Sequence, residues 1–185
     1  MNAQERSAAT HAGASPHLAS ETAVLKDGTG LTIRPARPDD GPRIARAFAG
    51  LERESVYTRF FTYKRELSDK ELAHLDTMDF VREAMLVATV DGKDGEAIVG
   101  TCRYIAHDVP GAAEVAFTIE EDFQGRGIAG RLLERLAGIA RASGIAGFEA
   151  VVLAENKAML RVFERAGWPM TTRREDDTIV VVLTL

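Results

Sequence analysis

A mixed α/β sheet with helices on both faces is the fold class this sequence predicts. Three observations carry it. From residue 31 onward the apolar spacing alternates between the period of a strand and that of a helix. The segments run strand, two or three helices, three strands, helix, strand, helix, two strands, an order that suits neither an all-α nor an all-β domain. Asp-Gly and Pro-Gly turn signals separate the segments.

Each element has a local reason. Leu31 and Ile33 start a short strand that Pro35 stops. Pro38-Asp39-Asp40 is a helix start with carboxylates at the positive end of the dipole, and Ile44, Ala45, Phe48 and Leu51 follow at helical spacing. A second helical piece is expected near residues 52–58. Ser68 with Glu71 forms a capping box that opens a helix through Leu72 and Leu75. Residues 84–90, 97–106 and 113–119 are expected strands, parted by Asp91-Gly92, Asp94-Gly95 and Val109-Pro110-Gly111. Ile128, Leu132, Leu136 and Ile139 share one stripe of a helix over 127–141. Residues 148–153 are a buried strand. A helix over 156–166 carries Met159, Val162 and Phe163 on one face and ends at Gly167. Residues 168–173 and 178–183 form a closing strand pair.

Composition sets the frame. The chain has 185 residues, of which 45% are hydrophobic, and this suits one domain. Residues 1–30, rich in Ala, Ser, Thr, Gly and His without apolar periodicity, are expected to be a flexible tail; 31–185 are expected to be a single domain. His11 and His17 in the tail are read as solvated. No apolar run approaches the about 20 residues of a membrane span, and no secretory signal is recognised, so the cytoplasm is the default compartment. The net charge of −5 gives no pull toward nucleic acid or anionic lipid. Cys102 is the only cysteine, which excludes an intrachain disulfide and a cysteine zinc cluster; no metal is expected.

The most informative stretch is Gln124-Gly125-Arg126-Gly127-Ile128-Ala129-Gly130, which joins a strand to an amphipathic helix. Free N–H groups at a helix start, together with the dipole, form an anion site. Gly125 and Gly127 carry no side chain to hold a phosphate away, and Arg126 adds positive charge. A phosphorylated ligand is expected. Gly125-x-Gly127-x-x-Gly130 also fits a dinucleotide fingerprint, but Glu120 to Gln124 intervene between strand and glycine and the site falls late in the chain. A helix start without a ligand is the plain alternative. Three glycines in six residues cost roughly 1 kcal/mol each against Ala in a helix, so a compensating reason is expected.

Gln124-x-x-Gly127-x-Ala129 resembles the pyrophosphate-binding motif of the GNAT superfamily of N-acetyltransferases. The strand Ala113-Glu114-Val115-Ala116-Phe117 precedes it at the family's distance. The segment from Asn156 through Phe163 to Gly167-Trp168 is similar to the family's second cofactor motif. The element order also agrees from residue 31 to the C-terminus. The resemblance implies a mostly antiparallel central sheet in which one parallel strand pair splays apart. It implies acetyl-CoA as co-substrate and a primary amine as acceptor. The pantetheine arm would lie along the backbone of Phe117, Thr118 and Ile119, and the pyrophosphate on the amides from Gly125 to Gly130, including those of Ile128 and Ala129. Asn156 would touch the cysteamine part, beside its plain role as a helix N-cap.

Amine acetylation needs a neutral nitrogen, and only about one free lysine in 2,000 is neutral at pH 7. Strand alternation places Glu114, Ala116 and Thr118 on one face, with the small Ala116 leaving space beside Glu114. Glu114 also stands where the protein-acetylating members of the family carry their general base, against the plain reading of a solvated carboxylate. A backbone N–H of Phe117 or Thr118 is expected to face the thioester oxygen. Phe163 stands where many members carry the Tyr that protonates the leaving thiolate, so the general acid is absent or elsewhere; Tyr104 is a candidate that nothing in the sequence places. Cys102 reads as a small strand residue rather than a nucleophile.

Glu54-Ser55-x-Tyr57-x-Arg59-Phe60-Phe61 resembles a segment of bacterial protein-lysine acetyltransferases that modify acyl-CoA synthetases, and the stretch with His74 and Asp76 has a similar character. This favours a protein lysine, such as one on an acyl-CoA synthetase, over a small amine. Glu52, Glu54, Glu120, Glu121 and Asp122 would suit a cationic acceptor, although a solvated surface is the plainer account of them. A non-catalytic acyl-CoA-binding module with the same fold is the alternative from another class.

Overall fold

The computed structural model describes residues 18–60, 66–93 and 95–185. Eight strands form one sheet: β1 (Glu21–Val24), β2 (Gly30–Pro35), β3 (Glu83–Gly92), β4 (Gly95–Ala106), β5 (Ala112–Ile119), β6 (Gly147–Leu153), β7 (Met170–Glu175) and β8 (Thr178–Thr184). Their spatial order is β1-β2-β3-β4-β5-β6-β8-β7. The β5–β6 pair is parallel and every other neighbouring pair is antiparallel. Five helices join them: α1 (Gly41–Ala49), α2 (Arg53–Phe60), α3 (Asp69–Thr77), α4 (Ile128–Ala142) and α5 (Lys157–Arg165). Each element expected from residue 31 onward is present, with ends shifted by one or two residues.

Strand order begins earlier than the expected tail boundary. Glu21 to Val24 pair with Ile33 to Gly30. The turn between them is closed by Leu25 N–H to Thr29 O at 2.8 Å and Thr29 N–H to Asp27 Oδ1 at 3.0 Å. Leu25 is buried in the core. Among its described residues only Leu25 is fully buried, with Leu18 partly buried against the core, which leaves no apolar period; sheet pairing orders β1. His11, His17, Asp94 and Phe61 lie outside the described residues.

The sheet carries apolar side chains on both faces. On one face Leu132, Leu136 and Ile139 of α4 are buried against β3 and β4, with Tyr104, Phe148 and Phe163. On the other, Ile44 of α1 and Leu75 of α3 pack with Val87 and Ile98. Burying each such side chain stabilises the fold by about 1.5–3 kcal/mol. The capping box of α3 forms: Glu71 N–H donates to Ser68 Oγ at 3.3 Å, and Ser68 N–H donates to Glu71 Oε2 at 2.9 Å.

One buried ion cluster ties β2, β4 and the first helical turn together. The Arg34 guanidinium, 2% exposed, donates to both oxygens of Asp40 at 2.7 and 2.8 Å. It also donates to both oxygens of Glu96 at 3.0 and 2.7 Å. Asp40, 0% exposed, further accepts from Arg37 N–H at 2.8 Å and Arg43 Nη1 at 3.1 Å. Asp40 therefore does more than complement a helix dipole: it satisfies a buried arginine.

Candidate active site

The site forms where β5 and β6 part. Their register runs Ala112 to Gly147, Ala113 to Phe148 and Glu114 to Glu149, and ends there. Beyond it β5 stays paired with β4 as far as Ile119 to Gly100, while β6 stays paired with β8 as far as Leu153 to Thr178. The two strands thus diverge into a wedge with Glu114 and Glu149 at its apex.

Hydrogen-bond parity decides which amides line that wedge. In an antiparallel pair alternate residues bond to a given neighbour. His107 N–H donates to Ala112 O, and Glu120 N–H donates to Val99 O, each at 2.9 Å. Even-numbered β5 residues therefore spend their backbone groups on β4. Val115, Phe117 and Ile119 turn theirs toward the wedge. Of the three residues expected to present backbone, Phe117 and Ile119 face the wedge; Thr118 bonds to β4 and offers its side chain to the opposite face. Ile119 O accepts from Gln124 Nε2 at 3.1 Å, so the Gln124 amide closes the end of the wedge.

The glycine loop lies at the open end. Gly125 and Gly127 have φ of +72° and +85°, and Gly127 is the N-cap of α4. A Cβ there would meet no protein atom within 4 Å, so conformation rather than crowding requires glycine, and the space before the helix is open. Ile128 buries its side chain and contributes only its amide; Ala129 and Gly130 are partly exposed. Four orphan N–H groups at this helix start face open space, as an anion site needs. Arg126 is already engaged: it forms an ion pair with Asp27 and lies over the Phe123 ring at 4.9 Å. The hydrogen bonds from Thr29, more than this ion pair, hold the Asp27 carboxyl below its usual range.

Asn156 caps α5, its Oδ1 accepting from Met159 N–H at 3.0 Å. Asn156→Ala is expected to cost about 1 kcal/mol of stability from the lost cap. Calorimetry with acetyl-CoA separates the two roles: an unchanged affinity leaves the cap as its whole function. Phe163, 1% exposed, meets Phe117 edge-on at 6.0 Å and forms the apolar floor behind the wedge. The Tyr104 hydroxyl donates to Val81 O at 3.2 Å on the α4 face, away from the face of Glu114, and burial raises its pKa. Tyr104 is therefore committed to the core. Cys102 is buried on the same side as Tyr104.

Glu114 is exposed and stands beside Ile105 of β4 and Glu149 of β6, on the face shared with Ala116 and Thr118. That face opens into a cavity roofed by α1 and α3, with Phe48, Leu51 and Leu75 overhead and Ala116, Thr118 and Glu120 in the floor. Within its wall Glu83 Oε2 lies 3.3 Å from His74 Nδ1, and Arg103 Nη1 lies 3.6 Å from Glu83 Oε1. The Glu83–His74–Arg103 cluster escapes sequence reading because it joins α3, β3 and β4. Glu120, one of the five acidic residues the sequence offered for a cationic acceptor, directly follows β5 and lines the cavity. Burial, then Asp122 and Glu121, raise its pKa. Among the described residues no group of three or more His, Cys, Asp or Glu is placed to hold a metal.

A splayed parallel pair beside a glycine-rich helix start defines a class, and comparison with known proteins gives the same one. The model of the acetyltransferase (GNAT) domain family matches residues 30–169. Acetyltransferase PA5475 of Pseudomonas aeruginosa is 34% identical over 161 residues, which span 85% of this chain and 84% of that protein. Acetyltransferase Pat of Mycolicibacterium smegmatis is 30% identical over 145 residues, spanning 77% of this chain but only 42% of Pat. The crystal structure of the GNAT domain of S. lividans PAT has a TM-score of 0.79 at 34% identity, covering 90% of this chain and 97% of that one. The chain belongs to the GNAT acetyltransferase family. It is an acetyl-CoA-dependent acetyltransferase. No helix among the described residues is long and apolar enough to cross a membrane.

Proposed function

We propose that this protein acetylates a protein lysine by direct attack of the amine on acetyl-CoA, with Glu114 as general base. One observation carries the reading: pairing between β5 and β6 stops at Glu114, so the last β5 residue paired with β6 is a carboxylate at the apex of a wedge lined by unspent amides. The diphosphate takes the amides from Gly125 to Gly130, beside Gln124 and Arg126, and the pantetheine follows Phe117 and Ile119 as an added strand would. The Phe117 N–H stabilises the thioester oxygen as it gains charge. One ammonium proton passes to Glu114, directly or through water. The nitrogen then bonds to the acetyl carbon, the C–S bond breaks, and the nitrogen's second proton reaches the thiolate through solvent. Phe163 has no proton to give.

A protein lysine is favoured by the residue 54–61 resemblance and by the similarity to Pat and to the PAT domain. A lysine on an acyl-CoA synthetase is the acceptor this predicts. The test is CoA release measured against lysine-containing proteins and small amines, with a protein acceptor expected to give the highest kcat/KM. A small amine preferred over every protein would overturn that acceptor. Gly127→Ala is expected to weaken acetyl-CoA binding tenfold or more, because a side chain strains the positive φ by roughly 1–2 kcal/mol and fills the phosphate space. Calorimetry reads the loss; an unchanged Kd would remove the glycine loop from donor binding.

A further inference from the structure

Three carboxylates line the acceptor-side cavity, and two are already engaged. Glu71 holds the α3 cap through Ser68. Glu83 is bracketed by His74 and Arg103. Glu120 differs. It is half-buried in the cavity wall, and among the described residues its carboxylate has no hydrogen bond or ion pair. Among the described residues, the charges beside it in the chain are of its own sign. Glu121 and Asp122 follow it in the chain, and Glu121 is fixed in place by Glu52 N–H at 3.0 Å. The C-terminus of α1 approaches from above: a Cβ on Gly50 would sit 3.6 Å from Glu120 Oε1, so the carboxylate faces the negative end of that helix. Across the cavity stand Arg103, whose charge Glu83 shares, and His74. A carboxylate placed this way costs stability until a cation arrives.

Its position gives the cation an identity. Glu120 lies three residues beyond Phe117 and Glu114 three before it, so their Cα atoms stand about 10 Å along the strand on either side of the residue whose amide is assigned to the thioester. Glu114 is on the exposed side and Glu120 inside the cavity. Resting on the amine-acetylation reading above, we infer that Glu120 is the acceptor-selecting residue, whose carboxylate pairs with the ammonium of an incoming lysine and holds the cationic side chain in the cavity before transfer. Glu120 acts on acceptor binding, and Glu114 acts on the proton.

The test compares wild type and Glu120→Gln on two probes, with acetyl-CoA as donor. One probe is a short neutral peptide carrying a single lysine. The other is the same peptide with an uncharged hydrazide in place of the lysine amine. Glu120→Gln is expected to raise KM for the lysine peptide tenfold or more, with kcat within about threefold of wild type. KM for the hydrazide peptide and Kd for acetyl-CoA stay within twofold. Thermal unfolding shifts upward by about 1–3 °C, because the variant removes a carboxylate without a partner. Glu120→Asp recovers part of the lysine KM. A lysine KM within twofold of wild type overturns the inference. So does an equal loss on both probes with a lowered Tm, which marks a structural residue. A wild type that binds acetyl-CoA but transfers to no lysine overturns the lysine reading itself, and that result is read from the wild-type arm alone.

Discussion

Glu114→Gln is expected to lower kcat by about 10²–10⁴-fold, the usual contribution of a positioned general base, while calorimetric affinity for acetyl-CoA stays within twofold. The isosteric amide keeps the paired strand end in register with Ile105 and Glu149, so neither the wedge nor the amides of Phe117 and Ile119 move. What is lost is the acceptor for the ammonium proton. Raising the pH supplies neutral amine directly, so the variant's rate should climb more steeply than wild type between pH 7 and 9. A wild-type rate constant that is flat from pH 6 to 9 would remove Glu114 from the mechanism. Retained donor binding with lost turnover also distinguishes an enzyme from an acyl-CoA-binding module, which would show no turnover to lose.

The second large effect concerns stability. Arg34→Ala is expected to cost about 3–5 kcal/mol, because it takes from the fully buried Asp40 its bidentate cation, leaving only the half-exposed Arg43, and from Glu96 the cation it pairs with. Denaturant unfolding at pH 7 would read this as a lowered midpoint; a loss below about 1 kcal/mol would refute the account. The pH dependence adds a sign. In the wild type, burial pushes the Asp40 carboxyl upward, but hydrogen bonds from Arg34 and from Arg37 N–H outweigh it and hold it below the ordinary range. The Arg34 hydrogen bonds do the same for Glu96. Both carboxylates have folded values below their unfolded ones. Their contribution is therefore full above about pH 4 and is lost as pH falls through the folded values. In Arg34→Ala the upward push of burial on Asp40 is no longer opposed by the Arg34 guanidinium. The deficit against wild type should then shrink as pH falls from 7 toward 4.

The element sequence was legible because each segment advertises itself locally. The Ser68–Glu71 box, the α4 stripe and the Asn156 cap all read directly from spacing, and each is present in the structure. Gly125 and Gly127 were legible for the same reason: a positive φ at a helix start selects glycine wherever the rest of the chain goes. Strand parity within β5 was also local, and it put Glu114, Ala116 and Thr118 on one face.

The sequence by itself determined the periodicities, the caps and the glycine loop, since these depend on neighbours within a few residues. Tertiary structure alone decided where β5 leaves β6, which amides of β5 remain unspent, and that Arg126 pairs with Asp27 from the β1–β2 turn some hundred residues earlier. It also decided that Arg34 gathers Asp40 and Glu96 and that Glu120 faces the end of α1. Hydrogen bonds and charges act across space, and the separation along the chain of the groups they join leaves no trace in local spacing.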